Sequence, residues 1–181
     1  MSSGRRRALA VAVGATAALA GAAVAWWRWR VDGTDRSAEE ALWSMQFDKA
    51  EGGKLVMANF RGKPLLINFW ATWCVPCVRE LPALQGFQRE QAKRGWRVIA
   101  LAVDQPVPVI EFVNRFKLEL TVALAGVDGL EWQRAMGNDK GGLPFSLVLD
   151  AAGKVRHRKL GETTLEDLNR WAGEITPRAA S

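Results

Sequence analysis

The sequence predicts an α/β fold, in which a central mixed sheet has helices on both faces, begins with a hairpin and follows one transmembrane helix. Strand-length apolar runs alternate with helical patterns, and a hairpin pattern followed by a helical pattern closes the chain. A further apolar run occupies about residues 8–27. The chain has 181 residues, 49% of them hydrophobic, which is enough for one domain with a substantial core.

The apolar run at 8–27 has the length of a membrane span. Twenty residues of helix reach about 30 Å, the thickness of a hydrocarbon core. Arg5–Arg7 precede the run, and cationic flanks of this kind stay in the cytoplasm. We therefore expect residues 1–38 to comprise a cytoplasmic basic end, a membrane anchor at about 8–27 and a polar tether. Residues 39–181 would form one extracytoplasmic domain.

Three other interpretations of the amino terminus remain open. Ala23-Val24-Ala25 has the small-x-small form of a signal-peptidase site, so the segment could be removed. The preceding arginines also resemble a twin-arginine export signal. A buried soluble helix is the third reading, although basic residues flank the run at both ends. Export of the remaining chain is common to the anchor and to both signals.

The basic character of the chain is confined to its amino terminus. The net charge is +6, but five of the 25 basic residues precede residue 31, which leaves 20 basic residues against 19 acidic ones in the rest. A nearly neutral domain argues against nucleic-acid binding. Two Cys and one His cannot supply the four ligands of a structural zinc site, so we expect neither a metal nor another cofactor.

The elements of the domain follow from hydrophobic periodicity and turn residues. The predicted strands cover residues 42–48, 54–60, 64–70, 96–103, 120–125, 145–150 and 155–160. A predicted helix at 75–94 contains Pro82, which should kink it, and shorter helices are expected at 107–116 and 130–136. Thr163 and Glu166 predict a capping box for a closing helix that ends at Glu174.

Cys74 and Cys77 form a C-x-x-C motif at the junction between a predicted central strand and a helix. Free backbone N–H groups at a helix N-terminus favour a thiolate, so Cys74 is the expected nucleophile. Cys77, one turn further on, would be more buried and would act as the resolving thiol. Pro76 is tolerated in the first turn, where no intrahelical N–H partner is needed.

The cysteine pair has two other interpretations. A purely structural disulfide is permitted outside the cytoplasm, but a ring this small constrains little chain entropy. Half of a metal site would need further ligands from a partner. Redox chemistry is favoured because a C-x-x-C between strand and helix is the context that such chemistry requires.

Residues 42–176 resemble the membrane-anchored, thioredoxin-fold thiol–disulfide oxidoreductases of the TlpA/ResA type. The resemblance depends on four motifs that occur in order. They are Gly62-Lys63-Pro64, the run Asn68-Phe69-Trp70-Ala71-Thr72-Trp73-Cys74-Val75-Pro76-Cys77, Glu80-Leu81-Pro82, and Gly142-Leu143-Pro144. The family implies a thioredoxin-like fold and a redox-active disulfide between the two cysteines, with no other cofactor.

The resemblance also implies roles for residues around the dithiol. Pro144 would be a cis-proline facing the disulfide, and the backbone of Leu143 would pair with a substrate strand. Glu80 corresponds to the acid of the family's active-site helix and could hold or shift a proton. Trp73 is expected to flank the disulfide at the surface, and Pro76 to contact substrate with it.

Four further residues have separate interpretations. Asn68 occupies the position at which ordinary thioredoxins have a buried Asp, and an amide cannot exchange protons. Trp70 is expected in the core. His157, among basic neighbours, is expected to be solvated and has no assigned role. Asp104 could be a loop cap or a functional acid.

The resemblance implies a periplasmic reductase in the inner membrane. It would receive electrons from an integral membrane thiol–disulfide transporter and reduce disulfides of apocytochrome c or of copper-handling proteins. An extracytoplasmic oxidase or isomerase is an alternative, because direction depends on potential and partners. A copper-binding assembly module is another, since thiolates suit Cu(I).

Overall fold

The computed structural model describes Gly21 and residues 38–126 and 128–175. Helical residues 38–44 form α1. The strands are β1 (Gln46–Lys49), β2 (Lys54–Val56), β3 (Leu65–Trp70), β4 (Arg97–Ala102), β5 (Thr121–Leu124), β6 (Phe145–Leu149) and β7 (Val155–Leu160). The other α-helices are α2 (Val75–Gln91), α3 (Pro106–Phe116), α4 (Asp128–Ala135) and α5 (Leu165–Glu174). Short 3-10 helices follow β2, at Met57–Phe60, and α2, at Ala92–Arg94.

The strands form one mixed sheet in the order β2-β1-β5-β4-β3-β6-β7. β3 lies near its centre, parallel to β4 and antiparallel to β6. All six residues of β3 are buried, as expected for a strand that is covered on both faces. The predicted central mixed sheet with helices on both faces and an N-terminal hairpin is confirmed.

Alternate residues of β3 enter two separate hydrophobic clusters. Leu66 and Trp70 pack with residues of α2 and α5, whereas Leu65, Ile67 and Phe69 pack with residues of α1 and α4. This division follows from the two-residue period of a strand. Trp70 is fully buried, as predicted.

The strands of the first hairpin begin and end at different residues from those predicted. Residues 42–44 are helical, so the prediction of a strand at 42–48 is wrong for its first half. Leu42 and Trp43 are adjacent, yet both are buried in the same cluster, which a strand would not allow because successive side chains point to opposite faces. The partner strand ends at Val56, since Met57–Phe60 form a 3-10 turn. The long helix continues through Pro82.

The cap of α5 lies one residue later than predicted. Thr164, not Thr163, is the N-cap, and its side chain accepts a hydrogen bond from the backbone N–H of Asp167, whose carboxylate accepts one from the N–H of Thr164. Thr163 is instead buried and bonded to Ser146, so it is unavailable as a cap. The acid in the box is therefore Asp167 and not Glu166.

Asp167→Asn is expected to lower the free energy of unfolding by about 1–2 kcal/mol, because the carboxylate caps α5 and also accepts hydrogen bonds from Lys159 and Arg170. Burial alone would raise the pKa of Asp167, but the bonds from Lys159 and Thr164 hold it well below its usual range. The stabilisation is therefore complete above about pH 4 and is lost as the pH falls further. Urea unfolding at pH 7 and pH 3 measures both effects. The exposed Glu166→Gln is the control, and equal losses in the two variants would contradict the assignment.

The predicted anchor at about residues 8–27 and the tether at 31–38 lie almost entirely outside the described residues. Within the described ranges, no helix combines the length and apolarity needed to cross a membrane. The anchor and the side of the membrane on which the domain lies stay predictions.

Candidate active site

The two cysteines lie where β3 ends and α2 begins. Cys74 is the N-cap of α2, and its sulfur accepts a hydrogen bond from the backbone N–H of Cys77 at 3.4 Å. A disulfide bond joins the two residues. Pro76 lies in the first turn of the helix. Backbone N–H groups there have no acceptor within the helix, so the N–H that proline lacks costs no hydrogen bond. The chain therefore has the strand–C-x-x-C–helix arrangement that the sequence predicts.

The environments of the two sulfurs differ. Cys74 exposes 6% of its surface to solvent, whereas Cys77 is fully buried. The N-terminal end of α2 provides partial positive charge at Cys74, which favours its thiolate when the disulfide is reduced. Cys74 is thus the cysteine better placed to meet a substrate sulfur, and Cys77 the one better placed to resolve the product.

Asp104, which follows β4, fastens the loop that carries the motif. One of its carboxylate oxygens accepts hydrogen bonds from the backbone N–H of Thr72 at 2.9 Å and from the Thr72 hydroxyl at 2.6 Å. The other oxygen accepts one from the N–H of Gln105 at 2.7 Å. Of the two readings left open for Asp104, the structure supports the loop cap.

Glu80 lies one turn after Cys77 on α2 and is almost completely buried. One carboxyl oxygen accepts a hydrogen bond from the side-chain amide of Asn68 at 2.7 Å, and the other accepts one from the backbone N–H of Thr163. Burial raises the pKa of Glu80 to about 7, and these bonds offset only part of that effect. A carboxyl group beside the dithiol can therefore gain or lose a proton near neutral pH.

The partners of Glu80 come from distant parts of the chain. The amide of Asn68 also donates to the Ser146 hydroxyl at 3.1 Å, and that hydroxyl lies 2.9 Å from the Thr163 hydroxyl. β3, β6 and the loop before α5 thus converge on one acid. The sequence analysis identified Asn68 but missed the roles of Ser146 and Thr163. The signal for Ser146 is a lone hydroxyl in an otherwise apolar buried strand.

The predicted cis-proline is present. The Leu143–Pro144 peptide bond is cis, Pro144 is buried, and Leu143 is half-buried. Leu143 and Trp73 line the same open groove of about 590 Å³, and Trp73 exposes 67% of its surface. The other residues of this groove are Val103, Asp104, Gln105, Leu130, Gly141 and Gly142. The structure therefore brings two of the predicted substrate-binding residues together beside the motif.

The prediction that His157 is solvated is wrong, because the side chain is half-buried. Its imidazole stacks on the ring of Trp171, with 5.6 Å between centroids, and lies 2.8 Å from a carboxylate oxygen of Glu174. The reason is that α5 packs across this part of β7. His157 thus contacts the closing helix, and it is not among the residues that line the groove.

No group of three or more His, Cys, Asp or Glu side chains in the described ranges is arranged to hold a metal ion. The titratable group on the same helix that lies one turn after Cys77 is Glu80. The arrangement supports thiol–disulfide exchange through the cysteines themselves.

Residues 38–171 match the Redoxin family. The chain is 35% identical over 129 residues to the thiol-disulfide oxidoreductase ResA of Bacillus anthracis, a match that covers 70% of this chain and 72% of the relative. It is 32% identical over 134 residues to the thiol:disulfide interchange protein DsbE of Vibrio cholerae, covering 72% of this chain and 66% of that protein.

The fold is likewise similar to solved structures. A thioredoxin-family thiol:disulfide interchange protein from Chlorobium tepidum superposes with a TM-score of 0.64 at 29% sequence identity. That match covers 73% of this chain and 92% of the other. With the cysteine pair at the strand–helix junction, these likenesses show that the chain belongs to the Redoxin family and is a thioredoxin-like protein thiol–disulfide oxidoreductase similar to ResA.

Proposed function

We propose that the chain is a membrane-anchored, extracytoplasmic reductase of protein disulfides. The observation that carries this proposal is the asymmetry of the dithiol. Cys74 lies at a helix N-terminus with some exposed surface, while buried Cys77 lies one turn from a carboxyl group that titrates near pH 7. One sulfur is placed to attack, and the other to release the product.

The first step uses the reduced form. The Cys74 thiolate attacks one sulfur of a client disulfide, the client S–S bond breaks, and the second client sulfur leaves as a thiolate that takes a proton from solvent. The open groove between Trp73 and Leu143 is large enough to hold the client segment around its cysteine. A mixed disulfide between Cys74 and the client results.

The second step releases the client. Glu80 accepts the proton of the Cys77 thiol, and the resulting thiolate attacks the sulfur of Cys74. The mixed disulfide breaks, the client sulfur leaves as a thiolate that takes a proton from solvent, and the Cys74–Cys77 disulfide forms. The client departs with both cysteines reduced, and Glu80 releases its proton to solvent. Two electrons have passed to the client, so a dithiol donor must reduce the pair before the next cycle.

The location and partners belong to the same proposal. The apolar run at 8–27 with cationic flanks supports an anchor in the inner membrane and a domain outside the cytoplasm. Electrons would then come from an integral membrane thiol–disulfide transporter. Clients would be exported proteins whose cysteines must be reduced before use, such as apocytochrome c or copper-handling proteins.

The redox state of the cysteine pair in cells tests the direction of transfer. Acid quenching followed by alkylation with a mass-tagged maleimide should show the pair mostly reduced in cells that have the membrane thiol transporter. In cells without that transporter, the pair should be mostly oxidised. A pair that is oxidised in both strains would contradict the reductase proposal and favour an oxidase. Cys74→Ala/Cys77→Ala is the control for the unmodified band.

A further inference from the structure

Asn138 is buried, with 3% of its surface exposed, and it connects α4 to the loop before the cis-proline. Its backbone N–H donates to the carbonyl of Gln133 at 2.9 Å, and its own carbonyl accepts from the N–H of Gly141 at 2.9 Å. Its side-chain amide uses both hydrogens. One goes to the side-chain oxygen of Gln133 at 2.6 Å, and the other to the backbone carbonyl of Gly142 at 2.8 Å.

The orientation of this side chain follows from its partners. The carbonyl oxygen of Gly142 can only accept a hydrogen bond, so the nitrogen of the Asn138 amide must face it. Rotation of the amide by 180° would place two oxygens against each other. Asn138 therefore holds the Gly142 carbonyl toward the protein interior.

The Gly142 carbonyl shares a planar peptide unit with the N–H of Leu143. In the described ranges only the Leu143–Pro144 peptide bond is cis, so the Gly142–Leu143 peptide is trans. In a trans peptide the C=O and the N–H point in opposite directions. Fixing the carbonyl inward turns the Leu143 N–H outward. In the described part of the chain this N–H has no backbone or side-chain acceptor, and Leu143 lines the open groove.

We propose that Asn138 is a positioning residue for client binding, which fixes the Gly142–Leu143 peptide so that the Leu143 N–H faces the groove as a donor to an extended client chain. The inference rests on the proposed function, in which a client segment occupies this groove. Pro144 has no N–H, so Leu143 holds the last main-chain donor before β6. Main-chain hydrogen bonds of this kind bind clients irrespective of their side chains.

The loop is built to hold this geometry. Gly141 has φ +61°, a left-handed conformation that favours glycine. A Cβ on Gly142 would lie 3.1 Å from the Leu160 side chain. The backbone thus runs close to β7, and Asn138 approaches the same peptide from α4. The Leu143 N–H is held between two packed elements rather than carried on a free loop.

Asn138→Asp removes the hydrogen-bond donor while preserving the size of the side chain. An ionised carboxylate cannot donate to the Gly142 carbonyl. With the full-length protein in detergent, the variant's kcat/KM for a disulfide-containing protein such as insulin should fall about 5- to 10-fold, mainly through KM. Reduction of hydroxyethyl disulfide, which has no main chain to pair, should change much less. Asn138→Ala should give the same selective loss if the Asp variant does not fold.

Gln88→Ala is the matched control. Gln88 is a half-buried amide that likewise bonds the backbone, to Trp96 and Val98, but it lies in the last turn of α2. Its removal should lower stability and leave the ratio of insulin to hydroxyethyl disulfide rates unchanged. If the Asn138 variants also leave that ratio unchanged, the positioning role is wrong.

Hydrogen exchange distinguishes this inference from the proposed function. In a mixed disulfide between Cys77→Ser protein and a cysteine peptide, the Leu143 amide should exchange more slowly than in the free protein. No slowing would overturn client docking at this strand. Slowing that is equal in Cys77→Ser and in Cys77→Ser/Asn138→Ala would overturn the role of Asn138 alone. Slowing that is lost in the double variant would support it.

Discussion

Cys77→Ser is expected to stop multiple turnover and leave client proteins covalently bound to Cys74. The serine hydroxyl is a far weaker nucleophile than a thiolate at neutral pH, so the second step fails while the first proceeds. Because Cys77 is fully buried, serine preserves the packing better than a larger residue would. Non-reducing electrophoresis of the affinity-purified variant should show adducts that dithiothreitol releases, and the residual disulfide reductase rate should fall by about 10³-fold or more.

Cys74→Ser provides the comparison for the trapping experiment. It removes the attacking sulfur, so neither adducts nor turnover should appear, although Cys77 remains. Adducts on Cys77 in this variant, or none on Cys74 in Cys77→Ser while Cys74 still reacts with iodoacetamide, would mean that the two sulfurs have other roles than those proposed.

Glu80→Gln is expected to slow the release of client by about 10²-fold at pH 7, because glutamine cannot accept the proton of Cys77. In the parent protein, the rate of this step should rise with pH around a midpoint near 7, where Glu80 loses its own proton. The variant should lack that midpoint and approach the parent rate only at alkaline pH, where Cys77 ionises unaided. Single-turnover quenching of a preformed mixed disulfide measures this step alone.

Glu162→Gln is the control for the release rate. Glu162 precedes Thr163 in the chain, but it lies near the surface and pairs with Arg79. The variant removes a negative charge that helps to raise the pKa of Glu80 but no hydrogen bond to Glu80, so the release step should keep its pH midpoint, shifted slightly below that of the parent protein. An unchanged release rate and pH profile in Glu80→Gln would remove Glu80 from the mechanism.

The same carboxyl group makes stability depend on pH. Native Glu80 keeps its proton up to about pH 7, whereas the unfolded chain releases it near 4.5, so the native state binds more protons between these values. The free energy of unfolding should therefore decrease as pH rises from about 4.5 to 7, by up to about 3 kcal/mol from this group. Glu80→Gln should lack this decrease when urea unfolding is compared at pH 4.5 and pH 8. An equal decrease in both proteins would contradict the raised pKa.

Much of the fold could be predicted because its elements have local signals. The buried strand Leu65–Trp70 is a continuous apolar run, and the hairpin of β6 and β7 surrounds a clear turn. The errors occur where tertiary contacts determine the local conformation. The run 42–48 alternates enough to predict a strand, but residues 42–44 are helical, which lets the adjacent Leu42 and Trp43 enter one core cluster. Thr163 resembles a cap but is buried beside Ser146.

The sequence by itself determined the dithiol and its setting, because a strand, two cysteines and a helix N-terminus follow one another within a few residues of chain. It also identified Pro144 and the candidate acid, through a resemblance that depends on short motifs. Only the tertiary structure decided what surrounds them. The hydrogen bonds to Glu80 come from residues 12 and 83 positions away, and burial among them raises its pKa. The bond from Asn138 to Gly142 spans only four positions, but its direction depends on how α4 and the loop pack. Periodicity describes the environment of a segment along the chain, whereas desolvation and hydrogen-bond direction depend on neighbours brought together by folding.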